Sequence, residues 1–276
     1  MHPILLQFGS IRVPTYGTLF VLSLIAAIYM VIRLGRREGL DTTLLFDFST
    51  WLLIVGLLGS KLLLILTDWD FYGKNPGEIL SWGTFQAAGV FYGGFAAATF
   101  FAIWYIKVHR LPMMKVFDVY VPGIALAQSI GRLGCYSAGC DYGKPTTSFL
   151  GVVFTNPISH ELTGVPLGTP IYPTQVYESL ATLLIFGILL WRYRHKAFDG
   201  QIFIIYLTLY ALARFFIEFL RGDEDRGFVF NHLLSTSQFI AIMALVVAAV
   251  MAWKLRGRSL QPQPGAPPLQ AKRARG

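Results

Sequence analysis

Apolar runs of about 17 to 25 residues recur along the chain, and each is long enough to cross the ~30 Å hydrocarbon core of a bilayer as a helix. They cover roughly Thr18–Leu34, Leu44–Leu66, Phe85–Ile106, Val116–Leu133, Gln175–Trp191, Gln201–Leu220 and Ser235–Trp253. Lipid offers no partner to a backbone N–H or C=O, so only helices and closed barrels span it. Runs of this length select helices. The expected fold is an all-α polytopic membrane protein with about seven transmembrane helices. Composition agrees: 14% of residues are charged, against roughly 25% in a soluble domain. A formal charge of +8 could suggest nucleic acid, but the charges sit in short blocks between apolar runs. No nucleic-acid partner is expected; the bilayer is.

Basic residues set the orientation, because loops rich in Lys and Arg stay in the cytoplasm. One set of loops, with the C-terminal tail, holds fifteen: Arg33, Arg36, Arg37, Lys107, Arg110, Lys115, Arg192, Arg194, Lys196, Lys254, Arg256, Arg258, Lys272, Arg273 and Arg275. The other set holds five: Arg12, Lys74, Lys144, Arg221 and Arg226. Seven spans then put the N-terminus outside and the C-terminus in the cytoplasm. The start of the chain lacks a basic n-region and a small-residue cleavage site, so insertion is expected to use the spans themselves. Residues 144–172, rich in Pro, Gly and Thr with a β-like stretch at Phe149–Phe154, read as a small extracytoplasmic cap between spans four and five. Residues 1–256 form the transmembrane domain. Residues 257–276, rich in Pro, Gln and Ala, read as a disordered basic cytoplasmic tail facing anionic lipid. There is no convincing internal repeat.

The polar residues inside or beside these runs are the candidates for chemistry. The fourth run ends in Ala127-Gln-Ser-Ile-Gly-Arg-Leu-Gly-Cys-Tyr-Ser-Ala-Gly-Cys-Asp-Tyr-Gly143, which sets Arg132 among Gly131, Gly134, Gly139 and Gly143. Burying arginine in a span costs roughly 3 kcal/mol on insertion scales, so it needs an anion or water. Its planar fork suits phosphate or carboxylate. A plain alternative is an arginine snorkelling to the interface. Cys135 and Cys140 are the only cysteines. Two thiols fall short of a metal site, which usually takes four ligands. Disulfide, free thiols and close packing all remain open, and no metal or cofactor is expected.

Three further clusters lie in the same outer half. In Val90-Phe-Tyr-Gly-Gly94, Tyr92 could place a phenol in a cavity beside Gly93 and Gly94; it could equally be an interfacial tyrosine beside helix-packing glycines. In Tyr172-Pro-Thr-Gln-Val-Tyr-Glu178, Pro173 and Thr174 start a helix. Tyr172, Gln175, Tyr177 and Glu178 then crowd its first turns, where the dipole alone could favour Glu178. In the sixth run Tyr206, Tyr210, Arg214, Glu218 and Arg221 recur at spacings of four and three, on or near one helical face. A structural ion pair would account for Arg214 and Glu218. A second phosphate-facing cation opposite Arg132 would account for both arginines.

These motifs resemble the prolipoprotein diacylglyceryl transferase family. The resemblance runs from about Tyr16 to Arg221 and is strongest at Gly131-Arg-Leu-Gly134 with Gly139 and Gly143. It continues at Tyr172–Glu178 and at Tyr210-x3-Arg214-Phe-x2-Glu218-Phe-x-Arg221, with Tyr16-Gly17 as an early motif. It implies a bacterial inner-membrane enzyme that moves a diacylglyceryl group from phosphatidylglycerol to the lipobox cysteine of a prolipoprotein signal peptide. A thioether forms and glycerol phosphate leaves. It implies catalytic roles for Arg132 and Arg214; Tyr92 is the further catalytic candidate, to orient the reactants or to accept the thiol proton. Substrate contacts are implied for Tyr16, Gly93, Gly94, Gly131, Gly134, Cys135, Gly143, Tyr172, Gln175, Tyr177, Glu178, Tyr210, Glu218 and Arg221. The chain departs from the family at four places. Histidine is common at the positions of Tyr92 and Tyr172, asparagine at that of Cys135 and an acidic residue at that of Cys140. The histidines here are His2, His109, His160, His195 and His232, none of them in these motifs, so a histidine base does not carry over. The competing readings are a transporter or flippase of an anionic lipid using the same arginines, and a membrane scaffold in which they are structural.

Overall fold

Long helices carry the chain in the computed structural model, which describes residues 3–8, 11–81, 84, 89–223, 227–229 and 233–255. They are α1 (Thr15–Arg37), α2 (Thr42–Thr67), α3 (Phe91–Val108), α4 (Met113–Ala138), α5 (Pro157–Thr163), α6 (Thr174–Tyr193), α7 (Gln201–Ile217) and α8 (Thr236–Leu255). Among the described residues, six segments are long and apolar enough to cross a membrane: α1, α2, α3, α6, α7 with its 3-10 extension to Leu220, and α8. This is an all-α polytopic membrane protein. The expected fourth span, α4, is not among the six, because Lys115, Asp118 and Arg132 dilute its apolar stretch. α4 continues through Pro122, Gly131 and Gly134 and stops at Gly139, whose φ of +93° suits glycine. The tail beyond Leu255 lies outside the described residues.

The chain divides into two units, residues 32–116 and residues 1–31 with 117–276. In the first, α2 starts on Asp41, whose carboxylate accepts from the Thr43 and Leu44 amides at 2.8 and 3.3 Å. Its contact with α3 is made of small residues. A Cβ on Gly59 would stand 2.4 Å from that of Ala97, and one on Gly93 would stand 2.5 Å from the Gly59 carbonyl. Such close backbone approach lets dispersion replace the hydrophobic drive that lipid removes.

In the other unit, Val121 and Ala125 of α4, Ile185 and Leu189 of α6, and Ile202 and Tyr206 of α7 form one core. Ser129 and Ser179 exchange hydroxyl-to-carbonyl bonds of 3.0 and 2.8 Å across α4 and α6. Asp118, fully buried, accepts from the Gly200 and Phe203 amides at 2.7 and 2.9 Å, capping α7, and pairs with Lys196 at 3.5 Å. Residues 144–172 have a small core of their own, Phe154, Val165 and Ile171. The β-like stretch expected at Phe149–Phe154 shortens to β3 (Val152–Val153), antiparallel to β4 (Pro170–Ile171). Between them α5 is capped by Asn156 and closed by a left-handed Gly164. The sequence reading did not anticipate α5, nor the hairpin of β1 (Ile4–Phe8) and β2 (Ile11–Pro14) ahead of α1.

Candidate active site

Arg132 lies near the end of α4, Glu178 in the first turns of α6, and Arg214 in the last turn of α7. The packing just described brings their tips together. Arg132 reaches one oxygen of Glu178 at 3.1 Å and Arg214 reaches the other at 3.4 Å. The Tyr210 hydroxyl donates to Glu178 at 3.3 Å. Arg214 also pairs with Glu218, one helical turn on, at 3.0 Å and donates to the Ser237 hydroxyl of α8 at 3.0 Å. The spacing of four read from the sequence therefore does form a pair. Tyr206 stacks on Tyr210 with ring centroids 5.6 Å apart and donates to Gln128 at 2.9 Å.

A second layer sits on the loop after α4. Asp141 accepts from Arg132 with one oxygen and from Arg221 at 2.6 Å with the other. Arg221 also binds Asp223, its Nε donating at 2.8 Å. Asp141 has φ +56°, an uncommon backbone for a residue other than glycine. Its backbone is held there by the Thr174 hydroxyl, which donates to the Asp141 carbonyl at 2.7 Å, and by Gln175, which donates to the Cys140 carbonyl at 2.7 Å. Burial alone would raise the Asp141 carboxyl, but Arg132 and Arg221 hold it below the ordinary carboxylate value. Asp141 keeps 32% of its side chain exposed, against 6% for Glu178 and 2% for Glu218. Three guanidinium groups thus meet four carboxylates, and the most accessible carboxylate sits on the rim.

Glycines bring the backbones close. A Cβ on Gly143 would lie 2.3 Å from the Tyr172 carbonyl, and one on Gly222 would lie 2.7 Å from the Gly143 carbonyl. The Lys144 amide donates to Leu220 at 2.8 Å, the Gly222 amide to Tyr142 at 3.0 Å, and the Tyr172 amide to Lys144 at 3.0 Å. The three segments after α4, before α6 and after α7 are therefore laced together. Gly134 packs on the Tyr16 ring, 3.2 Å from an added Cβ, while Gly131 faces open space. The Tyr16 phenol lies within electrostatic reach of Cys135, Cys140, Arg132 and Asp141.

Of the residues singled out from the sequence, Arg132, Arg214, Arg221, Glu178, Glu218 and Tyr210 join one polar network. Gln175 and Gly143 shape its loop. Cys135 is a free, partly buried thiol beside Cys140. Among the described residues, no polar contact links the side chains of Tyr172 or Tyr177 to the arginines. Tyr92, Gly93 and Gly94 belong to the unit of residues 32–116: Tyr92 is half-exposed in the first turn of α3, and the two glycines pack against α2. Asp223 and Ser237 escaped the sequence reading, and Asp141 and Thr174, though inside motifs already quoted, were not assigned to the site. Asp223 lies in a loop, where charge attracts no notice, and Ser237 is a small hydroxyl in the seventh apolar run.

The sequence profile of the family described as prolipoprotein diacylglyceryl transferase matches residues 3–254. The chain belongs to the prolipoprotein diacylglyceryl transferase family. Among curated relatives, the phosphatidylglycerol–prolipoprotein diacylglyceryl transferase of Clostridium tetani is 34% identical over 248 residues, spanning 90% of this chain and 95% of the relative. A second such transferase, from Clostridium perfringens, is 35% identical over 261 residues, 94% of this chain and 98% of the relative. That of Dehalococcoides mccartyi is 32% identical over 250 residues, 90% and 91% of the two chains. Membership in this family makes the chain a transferase, with the polar network set in the part of the chain that the profile covers.

Proposed function

We infer that the protein transfers the diacylglyceryl group of phosphatidylglycerol to the lipobox cysteine thiol of a prolipoprotein at the outer face of the bacterial inner membrane. The observation that carries this reading is the convergence of Arg132 and Arg214, from two different helices, on the single carboxylate of Glu178. Two guanidinium groups so close, in apolar helices, form a ready anion clamp. Asp141, the more exposed carboxylate partner of Arg132, is the one that a lipid phosphate exchanges with at that guanidinium.

The phosphate then sits between Arg132 and Arg214. The thiol sulfur attacks the diacylglyceryl carbon, the C–O bond to phosphate breaks, and the S–C bond forms. The thiol proton ends on the departing glycerol phosphate. The guanidinium groups stabilise negative charge as it develops on that phosphate and favour the thiolate of the incoming cysteine. Glu178, Glu218 and Ser237 hold the arginines in register. Near-normal turnover in Tyr92→Phe excludes it as a proton acceptor.

The same reading counts α4 as a seventh span. At 26 residues and ~1.5 Å per residue, it is ~39 Å long and exceeds the hydrocarbon core. The cap then faces outward and the C-terminus lies in the cytoplasm, as the basic loops require. Purified protein is incubated with labelled phosphatidylglycerol and a lipobox peptide. The expected result is a thioether-linked peptide with release of glycerol phosphate. Lipid movement without a covalent product indicates a transporter and sinks the transferase reading.

A further inference from the structure

We propose that Cys135, Cys140 and Asp141 form a binding site for a thiophilic divalent cation of the zinc and cadmium class, on the rim of the arginine network. The two sulfurs and a carboxylate oxygen all lie within 4.8 Å of one another. Sequence spacing offered two ligands; the fold brings in a third.

The turn that makes this possible is specific. Cys135 sits in the last turn of α4. Gly139, at φ +93°, reverses the chain, and its amide closes on the Cys135 carbonyl at 2.8 Å. That reversal returns Cys140 to Cys135, whose carbonyl lies 3.7 Å from the Cys140 sulfur. Gln175 and Thr174 pin the backbone of Cys140 and Asp141 from α6. A tetrahedral zinc ion, with bonds of ~2.3 Å to sulfur and ~2.1 Å to oxygen, sets its donors roughly 3.5–3.8 Å apart. The cluster reaches that spacing by closing about 1 Å. All three residues are only partly buried, so an ion has access and water supplies the fourth ligand.

The surroundings complete the case. Metal-ligating carboxylates are themselves oriented by hydrogen-bond donors, and Asp141 has two, Arg132 and Arg221. The balance is one divalent ion in and two thiol protons out, with two metal–sulfur bonds and one metal–oxygen bond formed. The net charge of the cluster therefore does not change, which matters where unbalanced charge is costly. This site needs no part of the transferase reading to exist.

The test uses the full chain in detergent micelles, with a phosphine reductant and cadmium as the probe. The expected result is a thiolate-to-cadmium charge-transfer band in the ultraviolet that saturates at one ion per chain and is displaced by zinc. Affinity should rise up to ~100-fold per pH unit while both thiols are protonated. The band should vanish in Cys135→Ser and in Cys140→Ser. In Asp141→Asn affinity should fall by at least the roughly tenfold that loss of an outer partner already costs. Each variant is checked for an unchanged gel-filtration profile. No band in monodisperse wild-type protein overturns the proposal, as does a band that survives in the double serine variant.

Discussion

Glu178 is the residue on which the two central arginines depend. It gives one oxygen to each and so ties the two guanidinium groups together, while Asp141 holds Arg132 and Glu218 holds Arg214 from their other sides. Replacing Arg132 or Arg214 with alanine is expected to lower lipidation at least ~100-fold, the scale seen when a charge-stabilising donor is lost. Lysine should restore little of it, because an ammonium lacks the fork; turnover with labelled lipid measures both. Asp141 adds a pH signature. Against the pull of burial, Arg132 and Arg221 hold its carboxyl below the ordinary carboxylate value in the folded chain. A depressed carboxylate contributes stability that is fully present above its unfolded value and is lost as pH falls through the native one. The melting temperature of detergent-solubilised protein should therefore drop below about pH 4, and Asp141→Asn should flatten part of that drop. Arg132, Arg214, Glu178 and Glu218 were legible in the sequence because charge inside an apolar helix must be answered. Asp141 and Asp223 were not, because charge in a loop needs no answer.

At the scale of elements, helices were legible from apolar length alone, while short pieces were not. The hairpin before α1 and the seven-residue α5 owe their form to local pairing and caps rather than to any period in the sequence. The continuity of α4 was also hidden: glycine and proline argue for a break, but packing on α6 and α7 holds the helix through them. Gly93 distinguishes two uses of a small residue. A Cβ there would stand 2.4 Å from that of Leu63 in α2. Gly93→Ala should cost ~1–3 kcal/mol by overpacking, read as a lower melting temperature. Lost turnover at an unchanged melting temperature would instead assign Gly93 to substrate.

For the molecule as a whole, topology makes the sharpest prediction. With α4 as a span, a periplasm-dependent reporter inserted after Thr147 should be active, and one inserted after Arg110 should be silent. Equal behaviour of the two would remove α4 from the count of spans. The glycine contacts where Gly143 passes between Tyr172 and Gly222 carry a consequence for how lipid gets in. Three connectors threaded that tightly behave as a single plate. Whatever admits a two-tailed guest must happen at the margins of that plate, with the ground beneath the phosphate standing still while the doorway moves.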